Sequence, residues 1–230
     1  MKFRIARREL LMASAVSGSL MSLAGCIGDG ETSEARPVVE HIESEIITDD
    51  EGTKWIHAEF VNPTEHDHGR IQISHSVYDS NDEVVDTQET IIDLLPAGGT
   101  WRNYELVLGD RREEAEFVES DILTDDGNLS SSEIETIEIT TSTLNQGYQS
   151  GTEITGEIEN GETAFSQVYL VGLVQTDEDI YRGSVGEIIN DLAVNETRSF
   201  RAAIASNRTP PDRDEDLPTQ HDMYVFNGIP

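Results

Sequence analysis

The sequence predicts an all-β fold after residue 37: two tandem β-sandwich domains behind a signal peptide and a short tether. Three observations carry this. Apolar and polar residues alternate over short runs with almost no 3.6-residue periodicity. Gly, Asn, Asp and Pro punctuate those runs. The second half of the chain repeats the first.

The repeat is read residue by residue. Ile56, Ala58, Phe60 and Asn62 fall every second residue, and 98 positions later stand Ile154, Gly156, Ile158 and Asn160. Each set puts three apolar or small residues on one face of a strand and ends it with an Asn, whose side chain can bond nearby backbone at a turn. Further on, Ile91, Ile92, Leu95 and Thr100 match Ile188, Ile189, Leu192 and Thr197 at an offset of 97, so one residue is deleted in between. Strands are expected at 38–47, 54–61, 70–78, 84–92, 100–108 and 115–122 in the first copy. The second copy has them at 132–143, 153–159, 167–175, 180–189, 197–205 and 223–226. Six short strands in about 95 residues is the density of an immunoglobulin-like sandwich. The expected first domain is 37–123, the second 132–230, and the polar run 124–131 links them. Residues 110–117 are the one short stretch with helical character, and the Pro-rich acidic loop 209–218 is an insertion expected to be exposed and mobile.

The N-terminus reads as an address. Lys2, Arg4, Arg7 and Arg8 precede an apolar, small-residue run from Leu10 to Ala24, too short to span a hydrocarbon core of about 30 Å. Arg7-Arg8-Glu9-Leu10-Leu11 resembles a twin-arginine export signal, a receptor-read address for folded cargo. Leu23-Ala24-Gly25-Cys26 resembles a lipobox, with the chain's only cysteine at the cleavage position. The resemblance implies removal of residues 1–25 and lipidation of Cys26, with 26–36 as a small, polar tether. The lipid membrane is then the first expected partner, through Cys26, and the expected location is the outer face of the cell membrane.

Composition agrees with export into brine. The 230 residues include 46 acidic and 15 basic side chains, a net charge of −31, with lysine only at Lys2 and Lys54. Without residues 1–25 the charge becomes −34, since four bases and one acid leave. Acid excess with almost no lysine resembles the proteins of extreme halophiles, and twin-arginine lipoproteins are common in halophilic archaea. Multimolar salt shortens the Debye length to about 3 Å or less, so self-repulsion is screened while the carboxylates hold water. Runs such as Asp49-Asp50-Glu51 and Asp177-Glu178-Asp179 are expected to be solvated. Such a surface repels phosphates, which excludes nucleic acid as a partner. One cysteine excludes a disulfide scaffold and paired-cysteine zinc sites. A mean hydropathy of −0.42 excludes a multi-spanning helical membrane protein.

Within the first copy, Glu59-Phe60-Val61-Asn62, His75-Ser76-Val77-Tyr78-Asp79 and Leu95-Pro96-Ala97-Gly98 resemble the FxLYD domain, an immunoglobulin-like module of prokaryotic lipoproteins. His75 stands where that pattern has Phe and Val77 where it has Leu, and the second copy lacks the Tyr-Asp pair. The resemblance implies the sandwich fold and supplies no catalytic residues.

Chemistry has few candidates. Five of the six histidines lie in the first copy. Glu65, His66 and His68 form the dense cluster, two imidazoles and a carboxylate suited to Zn²⁺ or Cu²⁺, with His57 as a further ligand. Against that reading, Asn62-Pro63-Thr64 and Gly69 bracket a loop where polar residues need no special reason. His75 alternates with Ile71, Ile73 and Val77, so it reads as a core histidine bonded to backbone. Residues 212–216 offer oxygens for Ca²⁺ without a calcium loop's glycine turn or spacing. No nucleophile elbow, phosphate loop or cofactor motif occurs, so neither an enzyme nor a cofactor is expected. Carboxylate pairs for a hydrolase remain as the third reading. Asn128, Asn195 and Asn207 head glycosylation sequons. The leading expectation is a non-catalytic binding or accessory module with an envelope protein partner; metal capture through 65–68 is the alternative.

Overall fold

The computed structural model describes residues 39–125, 129, 131–147, 151–204, 209–210, 213 and 216–230. Arg7, Arg8, Cys26, the tether, Asn128 and Asn207 lie outside the described residues. The first half contains β1 (Glu40–Thr48), β2 (Lys54–Val61), β3 (Ile71–Tyr78), β4 (Val84–Ile92), β5 (Thr100–Leu106) and β6 (Phe117–Asp125). The second contains β7 (Ile137–Gly147), β8 (Gly151–Asn160), β9 (Phe165–Gln175), β10 (Ile180–Leu192), β11 (Thr197–Ile204) and β12 (Gln220–Phe226). The run with helical character contains only a 3₁₀ turn, Arg112–Glu114, too short to bury a face.

Both halves are wired alike. In the first, β1-β2-β5 forms one layer and β4-β3-β6 the other; in the second, β7-β8-β11 and β10-β9-β12 do the same. The alternation explains the layers. Ala58 and Phe60 point inward from β2 and pack with Ile71, Ile73 and Trp101, while Ile56 packs with Val77, Val107 and Ala115, all essentially fully buried, and each large apolar side chain contributes roughly 1.5–3 kcal/mol. Ile154, Ile158, Val168, Leu170 and Val185 build the corresponding core of the second half.

The repeat extends to hydrogen bonds. Asn62 Nδ2 donates to the carbonyls of His66, Leu95 and Pro96 at 2.8–3.1 Å. Asn160 Nδ2 donates to those of Thr163 and Ala193 at 2.7 and 2.6 Å. Their backbone N–H groups reach Gly99 O and Glu196 O, both at 2.9 Å. Each Asn is buried and staples the end of its strand to the turn that opens β5 or β11.

The halves differ in the middle. His75 lies fully buried between Ser120 and Asn103 rather than against backbone: its Nδ1–H donates to Ser120 Oγ at 2.7 Å and Asn103 Nδ2 donates to its Nε2 at 3.4 Å. Ser120, Ser44 and His41 continue the chain of bonds at 2.6 and 2.7 Å. At the offset of 97, His75 and Asn103 correspond to Gly172 and Phe200. Apolar side chains take over there: Ile154, Val185 and Met223 stand 2.5–2.8 Å from where a Cβ of Gly172 would be, and Phe200 packs on Gly156, whose added Cβ would meet Thr141 O at 2.1 Å and the Phe200 ring at 2.8 Å.

The halves also share structure. A short parallel pairing, Ile180 with Thr100 and Tyr181 with Trp101, joins β5 to β10. The result is one six-stranded sheet, β1-β2-β5-β10-β9-β12. Leu94 from the first half packs with Val171, Leu173 and Phe226 from the second. Asp93 accepts hydrogen bonds from Ser184 and Tyr169 across the same junction at 3.2 and 3.3 Å. Strand spacing gave no sign of this junction, because it is a pairing between residues some 80 positions apart.

Two expectations about acidic residues are corrected. Asp49 is buried: Oδ1 accepts the N–H groups of Glu51 and Thr53 at 3.0 and 2.8 Å, and Oδ2 accepts Trp55 Nε1–H at 2.9 Å. A turn-capping carboxylate is held by its backbone, not solvated. In the loop expected to be exposed and mobile, Pro210, Asp216 and Pro218 are buried. The Asp177–Asp179 run is exposed, as expected.

Candidate functional site

The outer face of β1-β2-β5 carries the densest group of charged side chains. His57 and Glu59 alternate with the inward residues of β2, so both face out. Glu45 is opposite His57, and Tyr104 is opposite it on the other side. Glu43 is opposite Glu59, and Glu59 is opposite Arg102. A bulge between His41 and Glu43 sets this register. It pushes Ile42 into solvent and turns Glu43 onto the same face as His57, the re-aiming that bulges provide.

His57 is only 7% exposed although it faces outward. Tyr104 stacks on it at 4.9 Å. On the next strand the Arg182 guanidinium lies 4.5 Å from the same Tyr104 ring. Nδ1–H of His57 donates to Glu45 Oε1 at 3.3 Å, while its Nε2 is buried with no hydrogen-bond partner among the described residues. A ring nitrogen of His57 and carboxylate oxygens of Glu43 and Glu59 lie within 4.8 Å of one another.

Asp216 closes the group from the late loop. It accepts Arg102 Nη1–H at 2.6 Å and the Tyr104 hydroxyl at 2.7 Å, and its carbonyl accepts Arg182 Nη1–H at 2.8 Å. Burial raises the Asp216 carboxyl, but the bonds from Tyr104 and Arg102 and the charges of Arg182 and Arg102 outweigh it, so the group stays below its usual range. Burial pushes Arg182 down to about 10, against the opposing pull of Asp216, and leaves it charged at neutral pH. Arg102 also holds Glu59 Oε2 with Nε and Nη2, both at 3.1 Å.

The sequence-predicted metal residues do not come together in this way. His68 is buried, with Nδ1 at 3.0 Å from Gly69 O and its backbone paired with Leu95. Glu65 and His66 are exposed on the turn before it. That segment is not an extended strand, so the alternation that would put both imidazoles on one face does not apply. Only His57 of the expected four joins a group able to share an ion among the described residues. Asp216 has both carboxylate oxygens engaged by Arg102 and Tyr104, which removes it from a calcium loop. Asn195 is exposed on the tight turn before β11.

Glu43, Arg102, Tyr104 and Arg182 went unread in the sequence, while Glu59 reads there only as part of the FxLYD-like pattern and Asp216 only as an oxygen donor for Ca²⁺. Glu59 and His57 share parity on β2, a usable signal. The bulge and the contribution of Asp216 have no local signature.

Comparison with protein-family models and with curated proteins gave no match. No helix among the described residues is long and apolar enough to cross a membrane.

Proposed function

We propose that the chain is a lipid-anchored, cell-surface protein of a halophile's envelope that acts as a non-catalytic binding or accessory module. The observation that carries this reading is the N-terminal pattern: paired arginines at 7–8, an apolar run, and the only cysteine in Leu23-Ala24-Gly25-Cys26. A polar tether then leads into an all-β body. The acidic, lysine-poor composition supports a salt-rich exterior. Tyr78 ends β3, the Asp79 carboxylate accepts the N–H groups of Asn81 and Glu83 at 2.8 and 3.0 Å, and the Pro96–Gly98 turn precedes β5. Those positions support the FxLYD-like reading of the first half.

Replacing Cys26→Ser tests the anchor. The variant is expected in the medium, and its retention in the membrane fraction would refute lipidation. Cross-linking intact cells in multimolar salt tests the accessory role. A stoichiometric neighbour is the expected product; recovery of the protein alone would argue against a subunit.

A further inference from the structure

We propose that Glu43, His57 and Glu59 form a binding site for one divalent transition-metal ion on the outer face of the first sheet. The proposal does not rest on the anchor or on a protein partner, and its test is read on metal binding alone.

The donor set fits such an ion. An imidazole with two carboxylates suits borderline cations such as Zn²⁺, Mn²⁺, Fe²⁺ or Co²⁺. Glu45 takes the Nδ1–H of His57, which fixes the tautomer and leaves the Nε2 lone pair as the ligand, the carboxylate–histidine–metal arrangement. That nitrogen is buried and unpartnered, a costly state for a polar atom in a protein interior. Stacking on Tyr104 holds the ring in place. Both Arg102 contacts fall on Oε2 of Glu59, which leaves Oε1 for the ion.

Charge points the same way. Glu43 and Glu59 face each other directly across β1 and β2, and like charges so placed repel. Around His57 stand the carboxylates of Glu43, Glu45, Glu59 and Asp216 against the guanidiniums of Arg102 and Arg182. The group is therefore two charges negative, the charge that one divalent ion neutralises. Donors around a first-row ion sit about 3.4 Å apart, so donors that lie within 4.8 Å of one another need only a small closing movement. Glu43 is exposed and free to swing inward.

Titration of the full chain with Co²⁺ in multimolar NaCl, followed by visible absorption and equilibrium dialysis, tests this. One Co²⁺ per chain is expected, with an intensified d–d band, and Zn²⁺ should displace it while Mg²⁺ does not. His57→Gln should abolish binding. Because His57 is buried, the exposed Glu43→Gln variant is the safer test, and it should weaken binding about tenfold or more. His66→Gln should bind like the parent. No bound Co²⁺, unchanged affinity in Glu43→Gln, or loss of binding in His66→Gln would each overturn the site.

Discussion

Asp216→Ala should cost this protein far more than the loss of any exposed acidic side chain. The carboxylate accepts bonds from Arg102 and Tyr104 at 2.6 and 2.7 Å, and it is the counter-charge of Arg182, whose side chain is fully buried. Nε and Nη2 of Arg182 have no hydrogen-bond partner among the described residues, and beside Asp216 only the Tyr104 ring faces its charge there. Removing one member of a buried pair costs about 3–5 kcal/mol, because a buried charge is left alone. For a body of this size that corresponds to a fall of roughly 10 °C in melting temperature. The assay is thermal unfolding followed by circular dichroism in multimolar KCl, with the exposed Glu178→Ala as control. The deficit should persist at every salt concentration at which the protein folds, since buried charges are screened little. Arg182→Met combined with Asp216→Ala should recover part of the loss, as both charges then go. A fall no larger than the control, or one that vanishes in high salt, would refute the buried-network reasoning.

Other outcomes follow from the same structure. Burial, with a smaller contribution from the His41 charge, holds His75 at about 4 against an ordinary value of 6.5. The unfolded chain thus takes up a proton that the folded one refuses. Stability is whole above pH 6.5, falls as pH drops toward 4, and loses up to about 3 kcal/mol; His75→Gln should flatten that part of the pH–stability curve, and an unchanged slope would count against it. Asn62→Ala and Asn160→Ala should each cost about 1–3 kcal/mol by leaving buried carbonyls unserved; melts of the single and double variants check this, and a silent substitution contradicts the stapling role. Diluting salt to about 0.1 M should unfold the protein through self-repulsion, and salt addition should restore its circular dichroism; equal melting temperatures in both conditions would exclude halophilic adaptation of the fold.

The strands were legible because their signals are local. Alternation in Ile56-His57-Ala58-Glu59-Phe60 and the turn residues around it define β2 without knowledge of any partner. Asn62 and Asn160 were legible too, since a strand-ending Asn has few other uses. The site was legible only through His57. Its companions depend on a bulge at Ile42, on register between strands, and on Asp216, more than 100 positions from Tyr104. An acidic residue in an acid-rich chain reads as solvated, so the buried Asp49 and Asp216 look in sequence like the exposed Asp177.

The shared sheet bears on how such a chain arises and whether it can be divided. A single half would leave the edge of β5 or β10 with unpaired backbone groups, a template for adhesion to other molecules. Joining the two halves edge to edge covers the start of both strands at once, Thr100 and Trp101 against Ile180 and Tyr181, so the second half shields part of the first as well as adding a second body. Each half cut from the other is then expected to self-associate through that uncovered edge.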